Sequence, residues 1–304
     1  MSIPSRPLGS TGVSVSALCF GGWHFAQPEL THEQSIRLCQ RAADEGITFF
    51  DNAWDYHEGH SEDMMGQALA AGGRRKNVVL MTKNCARDAA GTRQHLEDSL
   101  RRLRTDYLDL WQFHEINYDN DPDWIVEKGA LAAALEAQKA GKVRFIGFTG
   151  HKSPHIFQKM LPVHTWDTVQ LPINVCDYWY RSSIREVLPE LTKRKIGAIG
   201  MKSMGGGNIN VGGRIIAEGV CTPEEAIRYA LSQPIASLVV GVDSDKVLDQ
   251  DLAVGRNFQQ MTAAEMTALQ ERVKLVSTDG RHELSKSTQT YDGPYHRRQH
   301  GFAV

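Results

Sequence analysis

The sequence has no pair of cysteines close enough to suggest a shared ligand or bridge. Its five, Cys19, Cys39, Cys85, Cys176 and Cys221, are scattered and odd in number. That pattern speaks against a disulfide framework and against a zinc or iron–sulfur centre, so no metal is expected. No apolar run is long enough to cross a bilayer, and the first residues lack the charged-then-apolar pattern of a secretory leader. A reducing, cytoplasmic setting and no membrane partner are the expectation. Long basic runs are missing too. The net charge is −2, and Arg297 with Arg298 in the tail does not make a nucleic-acid arm, so no nucleic-acid partner is expected. Finally, no G-x-G-x-x-G follows a first strand, which excludes a Rossmann-type nucleotide site.

What is present is an ordinary globular composition, 41% hydrophobic and 23% charged, that supports a sizeable core in 304 residues. Short apolar runs alternate with helical stretches. The runs at Ala17–Phe20, Ile47–Asp51, Val78–Thr82, Tyr107–Phe113, Arg144–Phe148, Thr168–Gln170, Ile196–Met201 and Ser237–Val240 are expected as strands. Several are apolar nearly throughout, as in strands covered by helices on the outside. Between them Thr31 opens a helix that Gly46 stops, and Thr92 leads into HLEDSLRRLRTD. Trp124–Ala140 ends at Gly141, while Ser153-Pro154 and Thr222-Pro223 open two more helices. Strand and helix repeated about eight times imply an α/β fold, an eight-stranded parallel (β/α) TIM barrel. Residues 6–16 are expected to form an N-terminal β-hairpin, and 277–304 a C-terminal tail or loop lying on the barrel. No linker divides the chain, so 1–304 is expected to be a single domain.

Active sites of such barrels lie at the carboxyl ends of the strands. There the second strand ends in Asp51, the third in Lys83 and the fourth in His114, with Tyr56 one short loop beyond Asp51. Taken singly, each has a bland explanation: a turn cap, a solvated charge, a structural histidine, a rim aromatic. Together at one barrel mouth they make a coherent carbonyl-reduction site. A tyrosine hydroxyl is a weak acid at neutral pH, a neighbouring ammonium lowers its pKa, and a carboxylate holds the ammonium. An imidazole orients the carbonyl and stabilises the oxyanion. The hydride must come from a cofactor.

With these residues the chain resembles the aldo-keto reductase family up to about residue 255. The family's D-T-A-x-x-Y-G-x-S-E signature is similar to DNAWDYHEGHSE from Asp51 to Glu62, and its LDLxQ-x-H segment to LDLWQFH. The resemblance implies catalytic roles for Asp51, Tyr56, Lys83 and His114, and an NADPH cofactor by default. The G-V-S-N segment that holds the nicotinamide carboxamide resembles Gly147-Phe148-Thr149-Gly150. Thr149 replaces the serine, whereas Gly150 supplies no amide and leaves His151 as the neighbouring polar group. VQLPIN implies Gln170 as a carboxamide ligand and a structural Asn174. Met201 stands where many members stack a tyrosine on the nicotinamide. Lys202, Ser203, Gly205, Gly206 and Gly207 then approach the pyrophosphate; Gly22 and Trp23 after the first strand and Gly241 after the last are further cofactor-binding positions. In GVDSDKVLDQDL the resemblance assigns Asp243, Ser244 and Asp251 to the adenosine end. The two carboxylates Asp243 and Asp245 near a 2′-phosphate, offset only by Lys246, make NADH an alternative to NADPH.

Trp23, Trp54, Tyr56 and His114 are expected to line the pocket for a small aldehyde or ketone. The physiological substrate and the oligomeric state stay open, and Tyr291, Tyr295 and His296 would serve either to close the mouth or to support an oligomer contact. Two other classes fit the chain less well. A metal-dependent hydrolase using His57, His60, His114, His151 and His155 lacks an inward-facing histidine pair on one strand. A catalytically silent nucleotide-binding barrel, acting as sensor or subunit, is the alternative that the intact four-residue group opposes.

Overall fold

Period-2 alternation explains how this chain closes on itself, because each barrel strand carries one row of side chains inward and one outward. The computed structural model describes residues 2–208 and 212–304. A hairpin, β1 (Ser5–Pro7) against β2 (Ser14–Ser16), precedes β3 (Leu18–Gly21), β4 (Phe49–Asp51), β5 (Val79–Asn84) and β6 (Leu108–Phe113). Then follow β7 (Val143–Thr149), β8 (Thr168–Pro172), β9 (Gly197–Met201), a small antiparallel pair β10 (Gly207–Asn208) and β11 (Gly212–Gly213), and β12 (Ser237–Gly241). Eight of these close a barrel in the order β12-β3-β4-β5-β6-β7-β8-β9, every pairing parallel. The eight expected strands are all present, with ends that coincide or shift by at most two residues.

The inward row is apolar at the bottom and polar at the top. Cys19, Phe49, Met81, Leu110 and Ile199 form the lower plug, closed from beneath by Leu8 and Val15 of the hairpin. Two residues further along the same strands, the inward positions are Asp51, Lys83 and Gln112. Gln112 lies level with Gly147 and Lys83 in the ladder. A Cβ on Gly147 would lie 2.1 Å from Thr168 Oγ1, so only glycine lets the polar layer form. Outward residues such as Phe20, Phe50, Trp111, Ile146 and Val169 pack under the surrounding helices.

Helix starts follow local hydrogen bonding. Capping boxes open the helices at Thr31 and Thr222, as expected, and at Thr262. Two expectations are corrected. Helix Ala89–Arg102 starts before Thr92, because the Asp88 side chain accepts from Gly91 N and is the cap; Thr92 is buried inside it. The stretch Trp124–Ala140 is two helices, Asp121–Glu127 and Ala130–Lys139. Gly129 with φ +80° breaks it, and Pro122 lies in the first turn of the first helix.

The C-terminal segment is more ordered than a loop. Short helices Leu284–Ser287 and Pro294–Gln299 dock on the barrel mouth. Buried Lys286 is held by the Asp177 carboxylate and by Glu283 at 2.5 Å, and Glu283 in turn accepts from Asn174, which gives that asparagine its structural role. Asp292 accepts from Tyr118 Oη at 2.5 Å and pairs with Lys152 at 3.0 Å.

Candidate active site

Four chemically distinct side chains meet where β4, β5 and β6 end. Lys83 Nζ donates to Asp51 Oδ1 at 2.6 Å and to the Asn52 carbonyl at 2.7 Å, and lies 3.4 Å from Tyr56 Oη. Tyr56 and His114 meet edge to face with ring centroids 5.6 Å apart. Asp51, Lys83 and His114 are at most 3% exposed, while Tyr56 keeps partial access to solvent. The structure therefore brings together all four residues singled out at the strand ends.

A hydrogen-bonded chain supports them across the barrel. Gln170 Nε2 donates to Asp51 Oδ2 at 3.1 Å, Gln112 Nε2 to Gln170 Oε1 at 2.8 Å, and Thr168 Oγ1 to Gln112 Oε1 at 3.2 Å. Gln170 is thus tied to the carboxylate that holds Lys83. Arg87, itself buried and paired with Asp121 at 2.9 Å, donates to the carbonyls of His114 and Glu115 and fixes the loop that carries the imidazole. Ser61 and Glu62 of the signature segment are structural. Ser61 Oγ donates to Gly22 O at 2.5 Å, and the buried Glu62 carboxylate accepts from Thr82, Ser99 and Arg102.

The electrostatics differ from the sequence expectation on one point. Burial, reinforced by the carboxylates of Asp51, Asp55 and Glu115, pushes the Tyr56 hydroxyl well above its ordinary value. The Lys83 ammonium does not offset this, since its shortest contacts go to Asp51 and Asn52 O rather than to the phenol. Tyr56 is therefore held as a protonated phenol rather than tuned toward neutrality. Burial also lowers His114 against the pull of Asp55, which favours a neutral imidazole. Glu115, which sequence reasoning missed, is pushed well up by burial and by Asp55 and Asp292.

The other expected residues are spread around the mouth. Trp23 is 43% exposed and packs its ring on Tyr56 at 5.2 Å and on His57 at 4.5 Å. Trp54 stacks on His95 at 3.6 Å and bonds Asp98, with Tyr295 on its edge. Gly22 donates its N–H to Asp51 O and abuts Asn52. Thr149 Oγ1 accepts from Glu115 N at 3.0 Å, and Gly150 N donates to Gln170 O. Met201 and Ser203 are buried, and Lys202, at φ +55°, lies over the Tyr291 ring. Gly205 and Gly206 adopt φ +77° and +75°, and Gly206 faces Tyr291 as Gly241 faces His24. Gly207 lies in β10. Ser244 caps helix Asp245–Arg256 by accepting from Val247 N, and Asp243 accepts from Ser244 Oγ.

The tail residues expected either at the mouth or in an oligomer contact all lie on the mouth: Tyr291 at Gly206, Tyr295 on Trp54, and His296 with its ring 5.3 Å from that of His114. His57 and Glu58 before the Gly59 turn, together with Glu115 and Lys202, have positive φ, so four non-glycine residues in the loops around the mouth carry backbone strain.

Asp251, expected at the adenosine end, has an unusual environment. It is buried with one oxygen lacking a protein partner, and burial together with Asp243 pushes its carboxyl up to about 8. A carboxyl raised in the folded state makes the fold hold a proton that the unfolded chain has lost, so stability falls as pH rises from about 4 to about 8. Asp251→Asn removes this dependence. Urea unfolding should find the variant's advantage over the parent growing by about 1.4 kcal/mol per pH unit across that window; a constant gap between pH 5 and pH 8 would contradict the assignment.

Comparison with known proteins identifies the architecture. The model of the Aldo/keto reductase family matches residues 17–212. The chain belongs to this family. It is 32% identical over 222 residues to the uncharacterized oxidoreductase YrpG of Bacillus subtilis, covering 66% of each chain. It is 26% identical over 308 residues to L-galactose dehydrogenase of Arabidopsis thaliana, covering 90% of this chain and 96% of that one. The holo form of aldo-keto reductase AKR11C1 from Bacillus halodurans superposes with a TM-score of 0.75 at 22% identity, over 92% of this chain and 99% of that one, and shares the fold. As an aldo-keto reductase, the chain is an oxidoreductase of the class that uses nicotinamide cofactors on small carbonyl compounds. Among the described residues, no helix is long and apolar enough to cross a membrane.

Proposed function

We propose that this aldo-keto reductase reduces a small aldehyde or ketone at the barrel mouth, with Tyr56 giving the proton. The observation that carries the reading is the Lys83 ammonium bridging Asp51, at 2.6 Å, and the Tyr56 hydroxyl, at 3.4 Å, beside His114. A nicotinamide nucleotide, when bound, supplies the hydride. Buried polar atoms without a protein partner suit its two ends: His151 Nδ1 beside Thr149 and Gly150 for the carboxamide, and Asp251 Oδ1 for the adenine. Gln170 has a second amide hydrogen to add, and Lys202, Ser203, Gly205 and Gly206 would approach the pyrophosphate.

The protein's own contribution is to protonate and to hold. The substrate oxygen sits between the Tyr56 hydroxyl and the His114 imidazole, so charge developing on it meets two donors in a site screened from water. The raised Tyr56 value does not hinder this, because an alkoxide is a far stronger base than a phenolate and takes the proton. The phenolate left behind faces Lys83, held in place by Asp51. Trp23 supplies an apolar wall that half faces solvent, as a pocket open to exchange requires.

Cofactor choice follows from charge at the start of helix Asp245–Arg256. Arg37 and Arg41 are spent on Asp245 and Asp249, and Asp243 has no cation recorded against it among the described contacts. A ribose 2′-hydroxyl is welcome beside such a carboxylate and a 2′-phosphate is not. NADH therefore binds about tenfold tighter than NADPH, a difference of about 1.4 kcal/mol, and Asp243→Ser narrows the gap. Fluorescence titration with both nucleotides checks this, and equal affinities would contradict it. The reaction itself is tested by loss of reduced-nicotinamide absorbance over a carbonyl panel that begins with aldoses, given the match to L-galactose dehydrogenase over 90% of this chain. Binding of nucleotide with no turnover of any carbonyl would favour the sensor reading instead.

A further inference from the structure

The Nδ1 side of His114 faces a second cluster. Asp55 Oδ1 lies 3.3 Å from Nδ1 and Cys85 Sγ 3.6 Å from it. A ring nitrogen of His296 completes a group of four potential ligand atoms, all within 4.8 Å of one another. Cys85, His114 and His296 are buried, His296 to 1% exposure, and the Asp55 side chain is 11% exposed.

Hydrogen bonding accounts for only part of the group. Asp55 Oδ1 faces His114 Nδ1, but neither ring nitrogen of the buried His296 has a hydrogen-bond partner, its Nε2 lying 3.8 Å from Glu115 Oε2. Buried polar groups left without a partner destabilise a fold unless something else satisfies them. The spacings say what would. In a tetrahedron with metal–nitrogen and metal–oxygen bonds of about 2.0–2.1 Å and a metal–sulfur bond of about 2.3 Å, the nitrogen–oxygen edge is about 3.3 Å and the nitrogen–sulfur edge about 3.6 Å. Those are the separations found at His114 Nδ1, two of the group's six; the rest lie within 4.8 Å, so the other ligands draw in on binding.

We propose that Asp55, Cys85, His114 and His296 bind one divalent cation of borderline softness, for which Zn²⁺ is the best match. One thiolate, two imidazoles and one carboxylate select Zn²⁺ over the oxygen-seeking Mg²⁺ and Ca²⁺. On binding, Cys85 releases its thiol proton to solvent and its sulfur lone pair forms the metal bond. The thiolate and carboxylate charges then cancel that of the cation, so the buried centre is neutral. Nδ1 of His114 gives its lone pair to the metal, which puts the ring proton on Nε2 and makes that nitrogen a hydrogen-bond donor. His296 belongs to helix Pro294–Gln299, so the cation also fastens the C-terminal segment to the barrel mouth. Cation binding stands on these four residues alone; only the consequence for the Nε2 donor rests on the carbonyl-reduction reading.

The test is a titration of the full-length protein, stripped with chelator under reducing conditions, with Co²⁺ and then Zn²⁺. The expected result is one equivalent of Co²⁺ with the intense visible bands of tetrahedral coordination and a near-ultraviolet thiolate charge-transfer band, both lost on adding one equivalent of Zn²⁺. Cys85→Ser should lose the charge-transfer band and His296→Gln should weaken binding at least about tenfold, while Cys39→Ser, altered at a buried cysteine elsewhere, behaves as the parent. A wild-type titration without tetrahedral bands overturns the proposal, and so does weak octahedral binding or a charge-transfer band that survives in Cys85→Ser. Because the wild-type spectrum decides first, a misfolded variant cannot rescue or sink the idea, and no carbonyl turnover enters the readout.

Discussion

Tyr56→Phe lowers kcat for carbonyl reduction about 10²- to 10⁴-fold and leaves nucleotide affinity nearly unchanged. The substitution keeps the ring, and with it the edge contacts to Trp23 and His114, so the pocket retains its shape. It deletes only the hydroxyl that faces Lys83 Nζ. Without it the oxygen of the reacting carbonyl has to find its proton in water from which the site is partly screened, while His114 alone stabilises the charge. A loss confined to kcat marks an interaction made in the transition state; a rise in KM at constant kcat would mark uniform binding instead. Steady-state kinetics beside a nucleotide titration separate the two. A variant with near-parental kcat would remove Tyr56 from the chemistry.

Lys83→Met costs both activity and stability, and the two losses have different origins. Lys83 is 1% exposed and its ammonium is the cation that balances Asp51. Removing one member of a buried pair strands the other, at about 3–5 kcal/mol of folding stability; Gln170, which donates one hydrogen bond to Asp51, recovers little of that. A second change, Asp51→Asn, made in the Lys83→Met background takes away the stranded charge and should restore most of the stability without restoring turnover. Denaturant unfolding and kcat for both singles and the double form the cycle. If Lys83→Met were as stable as the parent and retained activity, neither the buried pair nor its catalytic support would survive.

Much of this site is legible because barrel geometry converts chain position into spatial position. Any residue at the carboxyl end of a barrel strand lands at the mouth, so Asp51, Lys83 and His114 declare themselves once the strands do. The structure adds what strand ends cannot say. Asp55 and Cys85 sit in loops, four residues beyond β4 and one beyond β5, where no periodicity assigns a direction, and Glu115 follows the histidine with φ +50°. His296 comes from a segment that lacks periodicity. Chain spacing is silent on side chains that converge from four separate segments, and the proposed cation site rests on such a convergence.

The misplaced helix boundaries are instructive in another way, because their signals are in the chain. Asp88 before Ala89-Ala90-Gly91 is a better cap than Thr92, being free to accept from Gly91 N, and Asp121-Pro122 marks a helix start ahead of Trp124. The Tyr56 direction was beyond sequence for a physical reason. Whether an ammonium lowers a phenol's pKa depends on which neighbour it approaches most closely, and Lys83 is nearer to Asp51 and to Asn52 O than to Tyr56.

The most direct examination of the whole account uses NADH deuterated at the transferable position of nicotinamide C4, a single turnover with an accepted aldehyde, and mass spectrometry of the alcohol. Deuterium should appear on the carbinol carbon with the parent enzyme, and the yield of labelled alcohol in the time of one parental turnover should fall to background with Tyr56→Phe. An unlabelled alcohol from the parent, or an equal yield of labelled alcohol from both proteins in that time, would contradict hydride delivery in a pocket whose proton donor is Tyr56.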